Sequence, residues 1–241
     1  MFKKSSIVCL LVVMAVFSVG QANADLLSWW QFEGNANATG SSPYDGTAVG
    51  TPGYGVGKIG QGLELDGSGS YSLGFAPSIA TASTQLSISV ASWVKYTDTG
   101  VGLIAGGLYN WELTNIFGKA SLYISGVAAT GLDSTVSLAD GQWHHVVGTW
   151  DGSTMSLYVD GAFNASMPGT GTPAYWGNPH MIGNRNDGSR PFIGSIDEVA
   201  VWRESLSAPE VADIYANGVP EPTTMVLLAL GVLGLLGRKR S

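Results

Sequence analysis

Between residues 86 and 95 the side chains fall into two phases, with Leu86, Ile88, Val90 and Val94 in one and Ser87, Ser89, Ala91, Trp93 and Lys95 in the other. A period of two marks a strand with one buried face. Met155-Ser156-Leu157-Tyr158-Val159 repeats the pattern, aliphatic at the odd positions and bounded on both sides by Asp-Gly, and reads as a meander strand. Leu122 and Ile124 mark another strand within 120–125, and residues 192–202 are long enough for one more. Asp-Gly recurs at 45, 66, 140, 151, 160 and 187, a dipeptide suited to the left-handed conformations of two-residue hairpin turns. Residues 51–62 read as a glycine-rich loop without a phosphate-binding lysine motif. The pattern predicts an all-β chain, a two-sheet antiparallel β-sandwich. One short C-terminal helix is expected where Ser207-Ala208-Pro209-Glu210 joins a capping box to an early proline before Val211, Ile214 and Tyr215. Asn217-Gly218 would stop it.

The two ends follow a different pattern. Lys3 and Lys4 precede an apolar run from Ile7 to Phe17, and Ala22-Asn23-Ala24 places small residues where a signal peptidase cuts. Residues 1–24 therefore read as a cleaved export signal, since 11 apolar residues fall short of the roughly 20 needed to span hydrocarbon. The single cysteine, Cys9, lies inside that signal, so the mature chain has no disulfide, thiolate ligand or cysteine nucleophile. At the other end Val219-Pro220-Glu221-Pro222 leads into an apolar stretch, 223–237, capped by Arg238-Lys239-Arg240. As a helix that stretch is about 22 Å long, against a hydrocarbon core of about 30 Å. The basic cluster is expected to remain cytoplasmic.

Residues 25–218, the stretch between the two ends, suit one large β domain. They carry 6 Lys and Arg against 17 Asp and Glu, a formal charge of −11. That field repels phosphate backbones, so nucleic acid is not an expected partner, whereas divalent cations and neutral polymers are compatible with it. Glycine accounts for 30 of these residues, about twice ordinary usage, which agrees with many tight turns.

Several short segments, taken in order, resemble the laminin-G-like, concanavalin-A-like jelly-roll domains. They are Trp30-Gln31-Phe32-Glu33-Gly34-Asn35, Leu63-Glu64-Leu65-Asp66-Gly67, the strand 88–95, Gly141-Gln142-Trp143-His144-His145-Val146-Val147, Leu157-Tyr158-Val159-Asp160-Gly161 and Phe192 through Val199 with the helix start Leu206-Ser207. The resemblance covers essentially all of 25–218 and implies a jelly roll, a fold shared by lectins, adhesion modules and polysaccharide-degrading enzymes. The terminal stretch resembles the PEP-CTERM sorting segment of bacterial surface and matrix proteins. That resemblance implies an exosortase as processing partner, transient insertion of 223–237 in the membrane, and delivery to the cell surface or extracellular matrix.

No catalytic set is visible. Adjacent strand residues such as His144 and His145 point to opposite faces and do not share a metal or a proton, and Asp197-Glu198 would diverge likewise across a flat strand. Glu64 and Asp66 do not make up a complete acid set: the retaining glycosidases of this fold carry Glu-x-Asp-x-x-Glu, and the third position here is Gly69. Asp66 reads instead as a turn residue. The resemblance implies a structural Ca²⁺; with the first and last strands adjacent, Asp197 would face Glu33 and Asn35, the alternative being a capped loop with ordinary turn acids. A glycan or matrix polymer is the expected ligand, bound by loops that join aromatics to amides, Tyr109-Asn110-Trp111 and Tyr175-Trp176 with Asn178, beside Asn184-Arg185-Asn186-Asp187. The alternative for these rings is to fill the sandwich edge. For the whole chain the alternatives are a structural matrix protein without a discrete ligand and a polysaccharide-active enzyme.

Overall fold

A computed structural model describes residues 25–74, 87–174 and 178–220. The expected export signal, the pair Tyr175-Trp176, and Glu221, Pro222 and the apolar tail lie outside the described residues. In chain order the strands are β1 (Leu26–Trp30), β2 (Ala38–Thr39), β3 (Thr47–Val49), β4 (Gly53–Val56), β5 (Gln61–Asp66), β6 (Ser70–Ser72), β7 (Ile88–Lys95), β8 (Val101–Gly106), β9 (Trp111–Ile116), β10 (Lys119–Ile124), β11 (Leu132–Asp133), β12 (His144–Trp150), β13 (Thr154–Val159), β14 (Ala162–Pro168), β15 (Met181–Ile182) and β16 (Ile193–Trp202), followed by helix α1 (Ala208–Asn217).

They form two antiparallel sheets. The first runs β14-β13-β12-β7-β16-β1-β2, with β5 also on β16 and β4 on β5; the second runs β11-β10-β9-β8-β15-β6-β3. The inward phases of both sheets meet in one core that includes Trp30, Leu63, Val90, Leu113, Leu122, Trp150 and Ile196. Full burial of each such side chain is worth about 1.5–3 kcal/mol, which is how residues 25–218, which contain no cysteine, hold together. As expected for related domains, the first and last strands are neighbours: β1 pairs with β16 from Leu26↔Trp202 to Trp30↔Val199.

Three expectations are corrected, for β7, for residues 51–62 and for the Asp-Gly pairs. β7 is buried on both faces, every residue but Lys95 being shielded. The side away from the core is covered from outside the sheets: Ser89 Oγ accepts from Leu206 N at 2.8 Å, and Trp93 stacks on Tyr215 of α1 with ring centroids 5.4 Å apart. Residues 51–62 are not all loop, because Gly53–Val56 pairs with Gln61–Glu64 as a hairpin.

Of the six Asp-Gly pairs, only those at 151 and 160 close hairpins, joining β12 to β13 and β13 to β14. The other four, at 45, 66, 140 and 187, lie where the chain crosses from one sheet to the other. At these corners the aspartate holds a nearby backbone N–H: Asp66 Oδ1 accepts from Ser68 N at 2.9 Å, Asp140 Oδ1 from Gln142 N at 2.8 Å and Asp187 Oδ1 from Ser189 N at 2.9 Å. An Asx-turn reverses or redirects a chain equally well, so the dipeptide marks a corner without saying which strands pair.

The helix forms as its sequence requires. The Glu210 carboxylate accepts from both Ser207 N and Ser207 Oγ at 2.7 Å, and Gly218 N closes the end on Ile214 O at 2.9 Å. Val211 and Ile214 are its buried face.

Candidate functional site

The hairpin between β8 and β9 turns at Gly107–Asn110, where Gly107 N donates to Trp111 O at 3.0 Å and Asn110 N to Gly107 O at 2.9 Å. Tyr109 takes φ of 60° at its tip and is 56% exposed. Asn178 ties this turn to two distant segments. Its Nδ2 donates to Leu108 O at 3.0 Å, its carbonyl oxygen accepts from Asn110 Nδ2 at 3.4 Å, and its Oδ1 accepts from Asn186 Nδ2 at 3.4 Å. Tyr109, Asn110, Asn178 and the 184–187 stretch, separated in sequence, are thereby drawn into one loop cluster beside the second sheet.

Beneath this cluster sits Glu112. It is out of phase with the core residues Trp111 and Leu113 and so leaves β9 on the outer face, yet its side chain is only 1% exposed because two arginines cover it. Arg185 Nε and Nη2 donate to its two oxygens at 2.6 Å, and Arg190 Nη1 donates to Oε2 at 3.0 Å. Burial lowers the Arg185 pKa, but the Glu112 bonds more than offset that and hold it above its ordinary value. For Arg190 burial wins and the shift is downward, with Glu112 opposing it. Nothing in the sequence singled out Glu112 or Arg190, which are 78 residues apart; the one available signal was a charged residue alternating with core positions on β9.

Trp111 differs from the expectation. It is 4% exposed and belongs to the core, so the ring is not available as a surface platform; its shared phase with Leu113 is the reason. Its ring lies 5.3 Å from that of His180, and both line a cavity of about 20 Å³ with Leu27, Ser28, Trp30, Leu73 and Val201. Burial drives the His180 pKa down to about 4, so that imidazole is neutral at pH 7.

A second cluster surrounds β16. Its first half pairs with β5 and its second half with β1, and between them the register against β7 shifts after Asp197. At this bulge Glu198 takes φ of 52°, an uncommon conformation for a residue with a side chain. Both carboxylates are buried rather than diverging as a flat strand would have them. Asp197 accepts from Lys58 N, Ile59 N and Glu198 N at 2.8, 3.0 and 2.9 Å, while Glu198 Oε2 accepts from Trp29 Nε1 at 2.6 Å.

Burial raises Asp197 to about 6 against the pull of its backbone bonds, and raises Glu198 to about 7 with repulsion from Asp197 and Glu33 adding to it. Glu33 reaches the same 57–61 loop, accepting from Gln61 N at 3.1 Å. Gly60 makes that approach possible, for it sits at φ of 54° and a Cβ there would collide with the Glu33 carboxylate. Asn35 is turned to its own loop, donating to Glu33 O at 3.1 Å and accepting from Asn37 N at 2.9 Å. Among the described residues no three histidine, cysteine or acidic side chains are spaced to hold a metal ion by themselves.

Glu64 and Asp66 share the exposed face of β5, and Asp66 closes its turn on Ser68 N and Oγ. His144 is partly exposed between Asp160 (2.8 Å) and Asp140 (3.2 Å), whereas His145 is buried.

The chain matches the family model described as the concanavalin A-like lectin/glucanases superfamily over residues 66–212, and the PEP-CTERM protein-sorting motif over 218–241. The sushi, von Willebrand factor type A, EGF and pentraxin domain-containing protein 1 of Rattus norvegicus is 28% identical over 176 residues, 66% of this chain and 5% of that protein. Human pentraxin-4 is 32% identical over 102 residues, 37% of this chain and 21% of its own length. The chain thus spans a small part of the curated relatives it matches. Among solved structures, domain 4 of AbnA, a GH43 extracellular arabinanase from Geobacillus stearothermophilus, in complex with arabinotriose, aligns with a TM-score of 0.64 at 22% identity, covering 80% of this chain and 100% of that one. The binding domain of botulinum neurotoxin DC in complex with SialylT aligns with a TM-score of 0.62 at 12% identity, covering 82% and 52%. At these identities the structural likeness speaks for the fold.

Proposed function

Since the chain belongs to the concanavalin A-like lectin/glucanases superfamily, we propose that its jelly-roll sandwich is a non-enzymatic carbohydrate-binding domain. The observation that carries this reading is the loop cluster in which Asn178 joins the Tyr109 turn to the Asn186 loop. An exposed ring can stack on sugar CH groups while neighbouring amides and guanidinium groups fix hydroxyls. Loops already tied together lose little freedom when they bind. Arabinotriose on the AbnA domain and SialylT on the neurotoxin domain support a glycan as the ligand class.

Glycan-array screening followed by calorimetry tests the reading: Tyr109→Ala and Asn178→Ala should each weaken binding by roughly tenfold or more, about 1.4 kcal/mol. A blank array, or variants that bind as the parent does, would defeat it. The blank array is the outcome expected of a structural matrix protein without a discrete ligand, a reading that the burial of Trp111 favours. Release of new reducing ends from a polysaccharide would favour an enzyme. Against that, Glu64 and Asp66 have Gly69 where a proton donor would be required.

A structural calcium is proposed at the Glu33 and Asp197 carboxylates. The donor chemistry fits: hard oxygens of the exposed Glu33 and the buried Asp197 gather on one loop, with Glu198 adjoining, and their mutual repulsion is the kind a divalent cation relieves.

The PEP-CTERM match implies export and membrane-associated sorting. On that basis a signal peptidase removes 1–24, residues 223–237 act as a temporary membrane handle, and an exosortase cuts near Val219-Pro220-Glu221-Pro222 to deliver the domain to the surface or matrix.

A further inference from the structure

We propose that the loop cluster selects uncharged glycans, with Arg185 and Arg190 donating to sugar hydroxyls and Glu112 as the positioning residue that cancels their charge. This rests on the carbohydrate-binding reading above and names its ligand class. Arg185 spends Nε and Nη2 on Glu112 and Arg190 spends Nη1, which among the described residues leaves Nη1 of the first and Nε and Nη2 of the second available to a ligand. Their side chains are 16% and 24% exposed, open enough to be reached and covered enough to be held in one orientation.

Asp187 stands on the same loop as Arg185. Its bonds to Ser189, together with the Arg185 charge, hold its carboxyl below the usual range, so it is ionised at neutral pH. Two guanidinium groups against two carboxylates leave the patch without net charge, inside a domain of formal charge −11.

An acidic or sulfated sugar arriving here surrenders hydration and meets a repulsive field, with no surplus positive charge to offset either. A neutral sugar meets no such field. Its hydroxyl oxygens accept from the rigid guanidinium N–H groups, and its hydroxyls can donate hydrogen bonds to the exposed Asp187. Glu112 itself is shielded from the ligand and acts through the arginines it holds.

The experiment compares binding of the exported protein, purified from its host, to neutral xylo-, cello- and arabino-oligosaccharides and to oligogalacturonates and sulfated galactan fragments, at low and high salt. Neutral oligosaccharides should bind at least about tenfold more tightly than the anionic ones at low salt, and the gap should narrow as salt screens the field. Asp187→Asn, at an exposed position, removes one negative charge without touching the core and should raise affinity for the anionic probes several-fold. Glu112→Gln should shift preference the same way if it folds. Preference for anionic probes by the parent protein, or an Asp187→Asn variant with unchanged selectivity, overturns the assignment while leaving carbohydrate binding intact. Failure of every glycan to bind removes the carbohydrate-binding reading and this inference with it.

Discussion

His144 and His145 are neighbours in sequence with opposite electrostatic lives. Burial lowers the His144 pKa, but hydrogen bonds to Asp160 and Asp140 outweigh it and the result lies above the ordinary histidine value. For His145 burial dominates, the Asp160 charge only partly opposes it, and the pKa falls to about 4. The signs for stability are therefore opposite. His144 contributes stability that is present below about pH 6.5 and lost as pH rises through its raised value, whereas His145 contributes stability present above about pH 6.5 and lost as pH falls toward 4. An NMR titration of the three imidazole signals should find His144 titrating above the free value and His145 and His180 well below it, and Asp160→Asn should bring the first down. His144 titrating together with His145 would contradict this account. Trp111 makes the complementary point about packing. Trp111→Ala should cost about 3–5 kcal/mol in chemical denaturation, and any loss of glycan affinity should track the unfolded fraction, because the ring contributes to the core and not to the ligand surface.

At the scale of elements, α1 and β16 mark the two extremes of legibility. The helix was readable from Ser207, Pro209, Glu210 and Gly218 because capping is settled within a few residues of the chain. The bulge in β16 was not, because its cause is non-local: the strand changes partner from β5 to β1 on one side while keeping β7 on the other. That change buries Asp197 and Glu198 together and makes the carboxylate cluster. Calcium should raise the melting temperature and chelation should lower it. At calcium concentrations about a hundredfold above Kd the gain is about 2.7 kcal/mol, or several degrees at about 2–4 °C per kcal/mol. Asp197→Asn should abolish the response. A melting curve indifferent to both calcium and chelator would dispose of the metal.

For the whole molecule, the PEP-CTERM match implies export and membrane-associated sorting, and the proposed processing of both ends can be tested directly. Mass spectrometry of the protein from its native host should find neither residues 1–24 nor the Arg238-Lys239-Arg240 peptide, and recovery of full-length chain from the soluble cytosolic fraction would undo the proposed sorting. Fold class, the helix, the strands 88–95, 154–159 and 193–202, and the corner aspartates were determined by the sequence itself, since period, caps and turns act over a handful of residues. Tertiary structure alone decided the rest. The outer face of β7 is buried because α1 and the 203–206 segment fold back over it, and four Asp-Gly corners join different sheets because pairing is settled by partners far along the chain. Glu112 meets Arg185 and Arg190 across more than 70 residues because a sandwich brings distant strands and loops side by side, and no local pattern records which ones will meet.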